Sequence, residues 1–170
     1  KSAVVIGGGF IGVEMAENLT ERGIPVTIIE FAPHIVASMD LEMANILHQH
    51  LQSKGVNLLL NTGVTDLVSV DSHLHLTLTN KEELDADLVI SSVGVVPESN
   101  LAKEAGLGLG IRNTIGVNDQ LQTSDPDIYA VGDAINITNW ITGLEGTIPL
   151  AGPANRQGRN VAKIIYGESI

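Results

Sequence analysis

The stretch VVIGGGFIGVEMAENL, Val4 to Leu19, constrains this 170-residue chain more than any other. A buried-strand pattern, Ala3 to Ile6, runs straight into three glycines. Apolar residues at helical spacing follow from Phe10 to Arg22 and stop near Gly23. Gly7, Gly9 and Gly12 satisfy G-x-G-x-x-G. In that motif the first glycine permits the tight turn, the second lets a pyrophosphate approach the backbone, and the third lets the helix pack on the strand. The helix start then offers unpaired N–H groups and about half a positive charge to a phosphate. A glycine pattern alone is weak; a strand before it and a helix after it are the context the motif requires.

A second strand, PVTIIE, ends on an acid, Glu30. A carboxylate there can accept hydrogen bonds from the 2′- and 3′-hydroxyls of an adenosine ribose. It also discriminates. A 2′-phosphate would meet like charge, and unit charges about 4 Å apart repel by about 4 kcal/mol at an effective dielectric near 20. Phe31, Ala32 and Pro33 follow, with no arginine to receive a phosphate. The expectation is NAD(H) and not NADP(H), with Gly8, Phe10 and Ile11 completing the turn. The motif by itself does not separate NAD from FAD, because both use this fold.

Downstream, Asp40 to Lys54 reads as a helix with Asp40 as its N-cap and Gly55 past its end. VNLLL, VTDLVSV and LHLTLT read as strands of a small antiparallel meander, and ADLVISSVG as a closing strand ending on Gly94. The order β-α-β-α, hairpin insert, strand predicts an α/β fold: a Rossmann-like domain with a parallel sheet and helices on its faces. Past Gly110 the pattern changes. One short strand is expected at Ile128 to Val131, an irregular stretch from Asn136 to Thr147, and a helix from Ala154 to Tyr166 with Pro153 near its start.

A formal charge of −11 argues against nucleic acid, which is bound through lysine and arginine. The chain has no cysteine, hence no disulfide and no thiol nucleophile. With no apolar run of bilayer length and no basic leader, no membrane association is expected and the protein is expected in the cytoplasm. His48 and His50 face different sides of one helix, and His73 and His75 share one strand face without a clear third ligand, so no metal is expected. Glu82, Glu83, Asp85 and Asp87 read as a polar turn and strand start. No side chain is a convincing redox or nucleophilic centre, so no catalytic residue is assigned.

Two later stretches carry a resemblance. TSDPDIYAVGDA, Thr123 to Ala134, closely resembles the second flavin motif of the pyridine nucleotide-disulphide oxidoreductases. IPLAGPANRQGRNVAKIIYG is similar to the coenzyme A-disulphide reductase, NADH oxidase and persulphide reductase branch of that family. The resemblance implies that Gly132 and Asp133 meet the ribitol chain of FAD, and that backbone amides near Leu150 and Ala151 face the flavin pyrimidine. It implies that the Gly7 motif is the NAD motif, because the family inserts an NAD domain within its flavin domain. Gly94 would then lie close to the nicotinamide end, Glu14 near the nicotinamide, and Phe10 over its pocket. Phe10 stands where relatives often carry tyrosine, so no hydroxyl is available there. Residues 1–111 would be the NAD-binding domain and 112–170 an incomplete part of the FAD-binding domain. The implied activity is hydride transfer from NADH to FAD and on to a disulphide, persulphide or oxygen, in a protein that is homodimeric when whole. The piece alone is expected to be inactive and to retain FAD weakly. Two alternatives stay open: a cysteine-free reductase serving an electron-transfer protein, and a non-catalytic dinucleotide-binding module.

Overall fold

The computed structural model describes residues 1–168, which form two compact units, Lys1–Gly94 and a second from Val95 onward. The first unit contains, in order, β1 (Ala3–Ile6), α1 (Phe10–Glu21), β2 (Val26–Ile29), α2 (Leu41–Ser53), β3 (Asn57–Leu59), β4 (Val64–Val70), β5 (His73–Leu78), β6 (Glu83–Ala86) and β7 (Leu88–Ser91).

Four of these strands form a parallel sheet in the order β3-β2-β1-β7. Successive strand residues point to opposite faces, and both faces are covered. Val5, Ile28, Leu58 and Ile90 join Ala16 and Leu19 of α1 and Leu47 and Leu51 of α2 in one core. Val4, Ile29, Leu59 and Val89 join Leu76, Leu78 and Ala86 in a second. The strands are therefore nearly continuous apolar runs, as burial on two faces demands. Helices were expected on the sheet's faces, but α1 and α2 both lie on one, because the chain steps in one direction from β1 through β2 to β3. The other face is closed by the antiparallel sheet β4-β5-β6.

Two further sequence expectations change here, and one holds. VNLLL is not part of the meander; its strand, β3, pairs in parallel with β2. A helix crossover before it returns the chain to the same end of the sheet, and that connection yields parallel pairing. The third meander strand comes instead from the acidic run. β6 alternates, with Leu84 and Ala86 packed inward and Glu83 and Asp85 exposed. Asp40 does occupy the N-cap of α2, but its carboxylate makes no capping hydrogen bond.

The second unit holds α3 (Asn100–Glu104), β8 (Ile137–Thr138), β9 (Glu145–Gly146) and α4 (Ala151–Ile165), joined by long irregular segments. Thr114 and Ile135 are its most buried residues. The strand expected at Ile128 to Val131 is not formed; Tyr129 makes one isolated bridge, to Gln122. A strand exists only with a partner, and the described residues supply none beyond that bridge. The stretch read as irregular, Asn136 to Thr147, contains the β8–β9 hairpin. The last helix starts at Ala151, three residues earlier than expected, so Pro153 sits in its first turn, where its missing N–H loses no intrahelical bond.

The side chain of Leu76 is fully buried between the two sheets, whereas Val70 is 39% exposed at the far end of β4. Leu76→Ala is expected to cost about 2–5 kcal/mol in urea unfolding followed by circular dichroism. Val70→Ala should cost less than about 0.5 kcal/mol.

Candidate functional site

All four parallel strands deliver their carboxyl ends to one cleft of about 470 Å³. Gly7 and Gly9 line it after β1, Glu30 and Phe31 after β2, Thr62 and Gly63 after β3, and Ser92 to Gly94 after β7. The chain leaves β1 toward β2 on one side and returns as β7 on the other, so the cleft opens at the point where strand order reverses. In open parallel sheets this crevice is where ligands bind. A smaller groove of about 350 Å³ lies between α1 and α2, but neither the glycine turn nor a strand end reaches it.

The glycine turn is built by close approach. Gly7 has φ +101, and its N–H donates to the Ile29 carbonyl at 2.8 Å. A Cβ on Gly7 would press on the Ser92 carbonyl, and one on Gly12 would strike the Gly7 carbonyl and the Ser92 hydroxyl. Gly9 differs: nothing lies within 4 Å of where its Cβ would stand. Backbone packing does not explain a glycine there, and the open space borders the cleft. The first intrahelical bond of α1 runs from the Val13 N–H to the Gly9 carbonyl at 3.0 Å. The N–H groups of Phe10, Ile11 and Gly12 therefore have no intrahelical acceptor. The first turn of α1 carries no acidic side chain to offset its positive end.

Glu30 holds the turn as well as lining the cleft. Its Oε2 accepts the Gly8 N–H at 2.6 Å and its Oε1 accepts the Ala32 N–H at 2.7 Å. Each carboxylate oxygen keeps further acceptor capacity, so hydroxyls can still donate to it. Below the turn, the Val36 N–H donates to the Gly8 carbonyl at 2.8 Å. Ile35, fully buried, fills the space a Gly8 Cβ would need. The Ile35 N–H donates to Nε2 of His48 at 3.2 Å. Burial pushes the His48 pKa below the ordinary histidine value, and His34 lowers it further.

Of the other residues singled out in the sequence, Gly94 lines the cleft with φ +109. Phe10 and Ile11 are 55% and 51% exposed at the start of α1. Glu14 is exposed one turn further along and does not line the cleft. In the second unit, Gly132 has φ +82, and its N–H donates to Oε1 of Gln157 on α4 at 2.7 Å. Asp133 borders a cavity of about 220 Å³ with Val96, Glu98, Thr147 and Pro149. Leu150 is the N-cap of α4 and Ala151 its first residue, and no acidic side chain stands in that first turn.

His73 and His75 do share a face, with Asp85 between them. Nδ1 of His75 lies 2.7 Å from Oδ1 of Asp85, and that hydrogen bond, more than any other influence, raises the His75 pKa. Among the described residues, no group of three or more His, Cys, Asp or Glu side chains could hold a metal ion, and no helix is long and apolar enough to cross a membrane.

Sequence reading missed Ser92. Its hydroxyl lies 2.9 Å from the carbonyl oxygens of Ile6 and Gly7 and ties β7 to the glycine turn. A hydroxyl at the end of the strand beside β1 was the available signal. The segment from Phe31 to Asp40 has no periodicity, and its role under the turn was not readable from pattern.

The family model described as pyridine nucleotide-disulphide oxidoreductase matches residues 1–158. The chain belongs to this family. It is 36% identical over 168 residues to an NADH oxidase of Methanocaldococcus jannaschii, covering 98% of this chain and 37% of that protein. The structure of reduced Bacillus anthracis CoADR-RHD superposes with a TM-score of 0.93 at 50% identity, over 99% of this chain and 30% of that one. A NAD-dependent persulfide reductase from A. fulgidus superposes with a TM-score of 0.95 at 39% identity, over 100% of this chain and 32% of that one. The chain thus spans well under half the length of these relatives. This likeness to the oxidoreductase family covers the Rossmann-like unit and the segment after it alike.

The two kinds of glycine in the turn separate in a stability measurement. Gly12→Ala forces a methyl group into backbone and should cost about 1–3 kcal/mol. Gly9→Ala, at an open N-cap, should cost less than about 1 kcal/mol. Thermal melts of both variants check the contrast.

Proposed function

We propose that this chain is the NADH-binding portion, with part of the flavin-binding portion, of an FAD-dependent oxidoreductase. Its cofactors are NAD(H) and FAD. The NAD-binding domain is residues 1–111, and 112–170 belong to the FAD-binding domain. One observation carries the reading: open space over Gly9, at the exposed end of α1, faces Glu30 in a cleft at the strand-order reversal.

In this reading the free N–H groups at the start of α1 bind the diphosphate, and Glu30 accepts hydrogen bonds from the adenosine ribose. The carboxylate charge disfavours a 2′-phosphate. Gly94, Glu14 and Phe10 belong to the nicotinamide end. In the second unit Gly132 and Asp133 serve the ribitol of FAD, while the amides near Leu150 and Ala151 offer the positive end of α4 to the flavin ring. NADH supplies a hydride and FAD accepts it; this chain's residues bind, orient and set the electrostatics. The electrons go on to a disulphide, a persulphide or oxygen, supported by the kinds of enzyme the relatives are. A second reading, a reductase that passes electrons to a carrier protein, is supported by the 36% identity over 170 residues to a rubredoxin-NAD(+) reductase of Pseudomonas putida, 44% of whose length is covered.

The test uses the intact protein. It should purify yellow, and NADH should bleach the flavin band without added acceptor. A colourless protein, or a flavin band indifferent to NADH, would remove the proposal. NADH should bind at least about tenfold tighter than NADPH, and Glu30→Ala should narrow that ratio. Equal affinities in the unaltered protein would refute the role given to Glu30.

A further inference from the structure

We infer that His48 is a positioning residue for the dinucleotide cleft: its Nε2 holds the Ile35 N–H, which fixes the segment that braces the glycine turn from below. The inference rests on the NAD(H) reading of that cleft. His48 lies on α2, and it neither lines the cleft nor belongs to any motif.

The connection runs through two short links. Nε2 of His48 accepts the Ile35 N–H at 3.2 Å, and the next residue, Val36, donates its N–H to the Gly8 carbonyl at 2.8 Å. Ile35 packs where a Gly8 side chain would be, so the segment touches the turn through side chain and backbone together. Val36 has φ 49, a left-handed conformation that strongly disfavours a β-branched residue. Such a conformation persists only where its surroundings over-determine it. Here three hydrogen bonds share that determination: the Ile35 N–H to His48, the Val36 N–H to the Gly8 carbonyl, and the Met39 N–H to the Val36 carbonyl. If the His48 acceptor is lost, the Ile35 N–H is left buried without a partner, and the segment has a reason to relax away from Gly8. Gly8 also donates to Glu30, so a shift of the turn reaches the ribose-binding acid.

Only neutral imidazole can accept at Nε2. His48 is buried on α2, whose other titratable groups lie elsewhere: Glu42 is exposed in the first turn, and His50 and the C-cap Lys54 face the groove shared with Glu17 and Glu21 of α1. Glu30 is engaged by Gly8 and Ala32. His34, whose Nδ1 lies 3.0 Å from the Ile35 carbonyl oxygen, also acts against protonation of His48. The bound, neutral form is therefore complete above the ordinary histidine range of about 6.5, and the bond is lost as pH falls below it toward the depressed value. His75 titrates with the opposite sign. Held by Asp85, its contribution is present at low pH and fades as pH rises, and it sits on the outer face of β5.

The experiment uses the intact flavoprotein and NAD+, which neither reduces the flavin nor decays in acid. Binding is followed by calorimetry from pH 5.5 to 8, and amide hydrogen exchange of residues 32–39 by mass spectrometry. At pH 8, His48→Leu should weaken NAD+ binding by roughly three- to tenfold and speed exchange in that segment. His48→Gln, which restores an acceptor that does not titrate, should recover most of the affinity and flatten the acid limb seen in the unaltered protein. Wild-type affinity and exchange in His48→Leu would overturn the inference, as would an unchanged acid limb in His48→Gln. If His48→Leu does not fold, His48→Gln alone still decides through the pH profile. Gly9→Val separates the two levels. If it leaves NAD+ binding intact, the cleft assignment itself fails; if it abolishes binding while the His48 variants behave as wild type, only the present inference does.

Discussion

The Glu30 carboxylate is the contact on which the cleft depends. It takes one backbone N–H from the glycine turn after β1 and another from the segment after β2, at 2.6 and 2.7 Å. Hydrogen bonds to an ionised acceptor are short and about twice as strong as neutral ones. This one residue therefore clamps two adjacent strand ends together. The consequence reaches further than the ribose recognition proposed for Glu30. Without the carboxylate, the Gly8 N–H loses its partner, and the turn that aims α1 into the cleft loses its lateral support. An acid at this position is structural before any ligand arrives.

Around that clamp, several independent contacts converge on the same turn. Ser92 reaches it from β7, Val36 from the segment before α2, and Ile29 from β2. Gly12 lets α1 lie against the Gly7 carbonyl from the remaining side. None of these contacts occupies the space over Gly9. The packing is tight on every side except one, and the open side carries the unpaired N–H groups of α1. A binding site of this type is a consequence of how a parallel sheet ends: the strand-order reversal parts the loops, and the first helix fills the gap with its positive end.

How much of this was legible in the sequence follows from range. The glycine turn, Glu30, α1, α2, the buried strand β1 and the second strand β2 were readable, because local pattern and tertiary role coincide there. Parallel β3 was misassigned, since five residues of apolar strand look alike in a parallel sheet and in a meander; only the crossover decides. Glu82, Glu83, Asp85 and Asp87 read as a polar turn and strand start because one face of β6 is solvated and the strand is short. Ile128 to Val131 carried strand propensity but found only one bridging partner. Ser92, Ile35 and His48 act through contacts spanning 13 to 86 positions along the chain, and no local pattern announces those.

An acidic chain would seem a poor host for a diphosphate. The net charge is −11, yet the cleft is governed by what lies within a few ångströms. At physiological ionic strength, exposed charges beyond about 8 Å are largely screened. The first turn of α1 has no acid, and the nearby carboxylate, Glu30, is directed onto two N–H donors. Glu14 stands one turn further along α1, outside the cleft lining. The placement of acids, and not their number, decides the sign of the field a phosphate meets. The same placement leaves one negative group at the end of β2, which in the proposed reading favours ribose hydroxyls over a further phosphate.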